Sequence, residues 1–340
     1  IVTFLVLYAG FVFLRDSSAP KLVIAIVAVI WGVGGVALLY LVSNWLVERL
    51  GDPWRARILP FVFVGPAVVI LIWYLALPAL RTFWMSLLDR NGQEFVGLAN
   101  YVAVFTNRNM FTAFRNNLMW IIFGATATVV LGLLIAVLAD RSRFDKVSKS
   151  LIFMPMAISM VGAAVIWNMM YDINPNVGLF NAIYTGITGN KPIAWTASAQ
   201  LAPWNNLFLI LVMVWLQTGF AMVLFSAAIK GIPGDMLEAA RVDGATELQV
   251  FFKIMIPTIM GTIITVSTTV LIFTLKIFDV VQVMTGGQFG TQVIATQFYR
   301  EIFTNQNSGY GSAIAIVLLL AVVPVMIYNL RQFRGQEGFS

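Results

Sequence analysis

A run of 24 residues, 206–229, passes without one charged side chain. A helix of about 20 apolar residues matches the hydrocarbon thickness of a bilayer, so this stretch is predicted to cross a membrane. Runs of the same kind occur at 22–47, 58–80, 118–139, 151–171 and 311–330, and an apolar run broken only by Lys276 and Asp279 at 258–281. The apolar stretch 1–14 is short for a span and reads as the tail of a truncated helix. A signal-peptide core is the competing reading, but no basic leader or small-residue cleavage pattern accompanies it. The expectation is an all-α integral membrane chain with eight transmembrane helices. Residues are 60% hydrophobic and 11% charged, which excludes an ordinary soluble domain.

Loop charges set the expected orientation, because cytoplasmic loops concentrate Lys and Arg. Twelve basic residues fall on one side: Arg49, Arg55, Arg57, Arg141, Arg143, Lys146, Lys149, Lys230, Arg241, Lys253, Arg331 and Arg334. Eight lie on the other, spread over the longer polar segments. The segment 231–257 and the C-terminus are therefore expected in the cytoplasm. The resulting organisation is 1–57 as N-terminal helices and loop, 58–117 as the third span with a short extracytoplasmic segment, 118–330 as a core, and 331–340 as a cytoplasmic tail. Gly32, Gly34 and Gly35 suit close helix contact, and Pro60, Pro66 and Pro78 require neighbours to satisfy freed carbonyls. Nucleic-acid binding is not implied by the net charge of +6, since basic residues in a membrane chain mark cytoplasmic loops.

The segment GIPGDMLEAARVDGATELQVFFKIMIP, 231–257, is polar between two apolar spans. Pro233 fits a first helical turn, Asp235 and Glu238 lie near the positive end of that helix dipole, and Arg241 lies near the negative end. Gly244 can end the helix in the left-handed conformation. Thr246 and Gln249 have capping-box spacing for a second helix, to which Leu248, Phe251, Phe252 and Ile254 give an apolar side. The pattern predicts a helix–glycine–helix elbow, with an ordinary cytoplasmic loop as the alternative.

Chemistry-bearing residues are few. The absence of Cys and His removes thiolate and imidazole metal ligands and the usual general base. No P-loop pattern is present, so ATP is not expected to bind this chain. Within the spans, Met213, Leu216, Gln217 and Phe220 follow i, i+3, i+4, i+7 spacing on one helix face. Phe273, Thr274 and Ile277 share another. The Gln217 amide either bonds a neighbouring helix or faces a polar cavity. Aromatic surface with a few amides and hydroxyls suits a sugar, whose C–H faces stack while its hydroxyls need partners. Asn168 is a further candidate. Lys276 and Asp279, at i and i+3, could share a helix face as an ion relay or as a structural pair.

The letters Glu238-Ala239-Ala240 and Asp243-Gly244-Ala245, followed by Ile254 and Pro257, resemble the EAA loop of type I ABC importer permeases. Phe278-Asp279, Met284-Thr285-Gly286-Gly287 and Gly290-Thr291 resemble the signature of the sugar-specific permeases in that superfamily. The stretch from about 204 to 334 is similar to the maltose and alpha-glucoside type, and the eight spans to its larger subunit without the large extracytoplasmic insertion. This resemblance implies the type I importer permease fold and a permease subunit that is not an enzyme. It implies a second homologous permease, two ATPase subunits that bind ATP and Mg, and an extracytoplasmic solute-binding protein. It implies a sugar substrate such as maltose or trehalose, with contacts at Met213, Leu216, Gln217, Phe273, Thr274 and Ile277, and coupling through Glu238, Ala239, Ala240, Asp243 and Gly244. Two rivals remain open: an ion-coupled secondary sugar transporter using Lys276 and Asp279, and an integral membrane transferase.

Overall fold

The computed structural model describes residues 2–140 and 144–337. Arg141 and Arg143 of the basic loop, and the tail beyond 337, lie outside the described residues. The chain divides into two compact units, 1–81 and 82–340.

The first unit holds α1 (Val2–Asp16), α2 (Lys21–Glu48), α3 (Asp52–Leu71) and a π turn, Ile72–Ala76, that leads into α4 (Leu77–Ser86) across the division. Gly10 makes room for Trp31, whose ring a Cβ there would meet at 2.0 Å. The Trp31 indole donates to the Leu7 carbonyl at 3.1 Å. Of the three clustered glycines, Gly35 packs on Leu7, while Gly32 and Gly34 face open space. The π turn ends two residues before Pro78, whose ring would otherwise press on the preceding turn of an α-helix.

The second unit runs through α5 (Ala99–Thr106), α6 (Arg108–Met119), a π turn at Trp120–Ala125, α7 (Thr126–Asp140), α8 (Asp145–Phe153), α9 (Met160–Met170), α10 (Leu179–Thr188) and α11 (Asn206–Lys230). It continues with α12 (Gly234–Val242), α13 (Glu247–Val250), a π turn at Phe251–Met255, α14 (Ile256–Thr258), α15 (Met260–Leu275), α16 (Asp279–Thr285), α17 (Ile294–Tyr299) and α18 (Ser308–Glu337).

Among the described residues, six helical runs are long and apolar enough to cross a membrane, and a seventh forms if the bent pair Asp145–Ala157 and Met160–Met170 is one span. The eighth expected span corresponds to α1, 15 residues long. The fold is all-α, as expected, with the helix count between six and eight. Span 151–171 is not straight: its two helices meet at 100°. Pro155 lies in a short 3-10 turn, Ile158 and Ser159 are extended, and the Ser159 hydroxyl restarts the helix by accepting the Gly162 N–H at 3.0 Å. Span 118–139 begins earlier than its apolar run, at α6, where the Asn107 side chain caps the helix.

α11 is the centre of the packing. It carries fourteen buried residues, more than any other helix described, so its apolar faces are enclosed by protein rather than lipid. Gly132 of α7 meets Ala221, where a Cβ would stand 2.5 Å from the alanine Cβ. Gly219 meets the Ile152 carbonyl and Phe153 backbone, at 2.6 and 2.8 Å from an added Cβ. Small residues thus let the α8 end and α7 approach α11 backbone to backbone. At the Lys230 end of α11, Asp140 pairs with Lys149 and accepts the Ser226 hydroxyl at 2.9 Å, while Lys230 lies 3.3 Å from Asp145.

Candidate functional site

A cavity of about 200 Å³ opens beside the middle of α11. Leu216, Gln217 and Phe220 form one wall, Phe273 of α15 another, and Met156, Ile158 and Met160 of the bent segment the third. Gln217 is 9% exposed, and its amide makes no hydrogen bond to any described residue. A carboxamide carries two donors and a two-lone-pair acceptor, and leaving these unmade in a low-dielectric site is unfavourable. The arrangement presents hydrogen-bonding capacity in a cavity that two aromatic rings also line.

The other three candidates are placed differently. Met213, Thr274 and Ile277 are 0%, 0% and 3% exposed, buried in the protein packing and not on the cavity wall. The Thr274 hydroxyl donates to the Val270 carbonyl at 2.7 Å with the Met213 sulfur at 3.7 Å. Four of the seven candidates therefore line one cavity, and three are buried away from its wall.

Lys276 and Asp279 do not share a helix. α15 ends at Leu275, residues 276–278 leave helical geometry, and Asp279 opens α16. No ion pair joins them among the described residues, so the expected i, i+3 pair is corrected. The break has a physical anchor: the Asn117 amide donates to the Leu275 carbonyl at 3.2 Å, in place of the helical N–H that the break removes.

The loop after α16 is fixed by polar groups that sequence reading passed over. Gly286 and Gly287 have φ of 61° and 67°, and Gly290 76°, all left-handed. The Thr285 and Thr291 hydroxyls lie 2.7 Å apart. Asn116 donates to the Gly290 and Gln292 carbonyls at 2.7 and 2.8 Å, and Asn205 to the Phe289 carbonyl at 2.9 Å. Asn116, Asn117 and Asn205 are buried. Their signal was three amides at the edges of apolar runs, where a buried carboxamide must find backbone partners.

The elbow forms as expected. Ala245 N–H donates to the Ala240 carbonyl and Gly244 N–H to that of Arg241, the paired bonds of a Schellman ending, with Gly244 at φ 84°. Thr246 and Gln249 complete a capping box. Arg241 donates to Glu247 at 2.8 Å, bridging the two arms and raising the guanidinium pKa. Pro233 precedes the helix as its cap residue. The buried side of the second arm is Val250, Met255 and Ile259 with Ile232, rather than Leu248 and Phe252, which are 71% and 61% exposed. The π turn Phe251–Met255 rotates the register so that different residues face inward. That cluster packs on Leu133 and Val137 of α7 and Ala228 and Ile229 of α11. Glu238, Ala239, Asp243 and Gly244 stay exposed, and Ala240 is half-buried.

A transmembrane helical bundle with a rigid polar elbow beside its central helix is the architecture of an ABC importer permease. Residues 128–334 match the family described as binding-protein-dependent transport system inner membrane component, and the chain belongs to it. Such a chain is a permease subunit of a multi-pass membrane transporter and not itself an enzyme. It is 50% identical over 280 residues to the osmoprotective compounds uptake permease protein GgtC of Synechocystis, across 81% of this chain and 99% of that one. The alpha-glucoside transport system permease protein AglF of Rhizobium meliloti is 44% identical over 284 residues, 82% of this chain and 83% of that one. The fold matches a chain of a bacterial ABC transporter that imports alginate, with a TM-score of 0.72, 22% identity and coverage of 84% and 99%.

Proposed function

We propose that this chain forms half of the translocation pathway of an ATP-driven importer for an alpha-glucoside, a disaccharide such as maltose or trehalose. The observation that carries this is the unpaired Gln217 amide in a cavity that Phe220 and Phe273 also line. Hydroxyls of a sugar supply the missing partners, and its C–H faces cover the rings. The resemblance to AglF, an alpha-glucoside permease by name, supports this reading. At about 200 Å³, the cavity is smaller than the roughly 300–1,000 Å³ of complete ligand sites, which fits a site completed by a second, homologous permease.

In this reading two ATPase subunits engage the exposed Glu238, Ala239, Asp243 and Gly244 on the cytoplasmic side, where the C-terminus also lies, and a solute-binding protein docks on the other. The core is 118–330, with 231–257 as the coupling segment. ATP-driven closure displaces the elbow. Its Schellman ending, capping box and Arg241–Glu247 bridge resist bending, so displacement passes through the Ile232–Val250–Met255–Ile259 cluster into α7 and α11 and through Pro257 into α15. Alternating access follows if the elbow contacts the open and closed ATPases with different free energy. The test is uptake of radiolabelled maltose, trehalose and sucrose into proteoliposomes holding the complete complex. Sugar accumulation that requires ATP and the binding protein is the expected result. Accumulation driven by an ion gradient without ATP would refute it.

A further inference from the structure

A second cavity, about 600 Å³, lies toward the Asn206 end of α11, away from the elbow that follows Lys230. Its lining includes Asn168, Tyr171, Asp172, Trp195, Thr196 and Met284. We propose that it is a second sugar subsite, which receives the solute before it reaches the Gln217 cavity; this rests on the sugar-import reading.

Three observations converge. The first is unfilled hydrogen-bonding capacity. The exposed Asn168 amide makes no hydrogen bond to any described residue, so a ligand can take the place of water there. The Asp172 carboxylate accepts one N–H, from Asn174 at 2.8 Å through Oδ1, and its second oxygen bonds no described residue. These groups stand beside the Trp195 and Tyr171 rings, the mixture of faces and polar atoms that a sugar ring satisfies. Among the described residues no Lys or Arg lines the cavity, and the one carboxylate among them, Asp172, disfavours an anionic ligand.

The second is that the walls are built to hold their shape. Asn181, 0% exposed, donates to the Asp172 and Ile193 carbonyls at 2.8 and 2.9 Å and accepts the Ile193 N–H at 2.8 Å, tying both sides together. Gly178 allows its chain to touch the Asp172 carbonyl, which an added Cβ would meet at 2.0 Å. Trp195 is held between Tyr184 and Phe208, with ring centroids at 5.6 and 5.2 Å. Preorganised walls lower the ordering cost of binding.

The third is continuity. Met160 of α9 lines the Gln217 cavity, and Asn168 of the same helix lines this one. Eight residues of helix separate them, about 12 Å at 1.5 Å per residue. The same helix thus contributes to both cavities, from different parts of its circumference.

The chain has no native cysteine, so Asn168→Cys in the complete complex provides a single reactive thiol on this subunit. Its alkylation by a polar maleimide is followed by labelling of this band alone. Sugar-loaded binding protein should slow the reaction about tenfold at saturation, whereas empty binding protein should not. Asn190→Cys, on the exposed loop after α10, should be unaffected by either. Equal protection by empty and loaded binding protein overturns the proposal in favour of a docking surface. Absence of protection also overturns it. A second variant, Asn168→Leu, should lower sugar delivered per ATP hydrolysed; a wild-type ratio counts against the subsite. If the wild-type complex transports the sugar while these results are negative, the subsite alone fails. If the wild-type complex transports none, the import reading fails with it.

Discussion

Replacing Gly219 by alanine should disturb both stability and transport, because the space it would fill is occupied by backbone. The new Cβ would lie 2.6 Å from the Ile152 carbonyl oxygen and 2.8 Å from the Phe153 Cα. Ordinary contact begins near 3.4 Å, so α11 and the α8 end must separate by about 0.8 Å, and no side chain can rotate away to spare them. Overpacking of this kind costs about 1–3 kcal/mol. At 2–4 °C per kcal/mol, the unfolding midpoint should fall by roughly 2–12 °C. The displaced segment leads within a few residues to Met156, Ile158 and Met160, the third wall of the Gln217 cavity, so uptake should fall as well. The assay is thermal unfolding of the purified complex beside sugar uptake in proteoliposomes. Gly186→Ala is the control: no atom lies within 4 Å of its added Cβ, and alanine favours a helix interior by roughly 0.5–1 kcal/mol. A Gly219→Ala complex with wild-type midpoint and uptake would refute the close-approach argument.

Gly244→Ala forces an L side chain to φ 84°, at a cost of about 1–2 kcal/mol; it should lower sugar transported per ATP hydrolysed while the chain still inserts and folds, as measured by parallel uptake and phosphate release. Arg241→Ala removes the bridge to Glu247 at 2.8 Å and should reduce the same ratio less, since water screens an exposed pair. Asp89 accepts the Gln93 and Glu94 N–H groups at 2.7 and 3.1 Å, and these bonds hold its pKa below the usual carboxylate value. Its stabilisation is therefore present at neutral pH and lost as pH falls through the lowered pKa. Wild type should unfold at a higher temperature than Asp89→Asn at pH 7, and the gap should close in acid.

The elbow was legible in the sequence because its determinants are local. Gly244, Thr246 and Gln249 each act within a few residues, and the structure contains both the Schellman ending and the capping box. Its buried face was less legible, since a π turn adds a residue to one turn and shifts every later side chain. The bend at Ile158 and Ser159 hid within a continuous apolar run, as hydropathy registers a segment's affinity for lipid and not its path. The break after Leu275 depends on Asn117, 158 positions earlier in the chain, a distance over which no periodicity speaks. In the same way the stripe of Met213, Leu216, Gln217 and Phe220 was visible as one face, but which members face the cavity and which the core depends on the neighbouring α15 and the π turn Trp120–Ala125. Gly124 of that turn sits against the Met213 methyl, which an added Cβ would approach to 2.7 Å.

The central claim is that the Gln217 amide holds the transported sugar. Its most direct test is ATP-driven alpha-glucoside uptake by the reconstituted complex carrying Gln217→Leu, which keeps the volume and removes the amide. Two lost hydrogen bonds at about 0.5–1.5 kcal/mol each should lower uptake about five- to 150-fold, with a smaller fall in ATP hydrolysis stimulated by the binding protein. Wild-type uptake by Gln217→Leu would contradict the account.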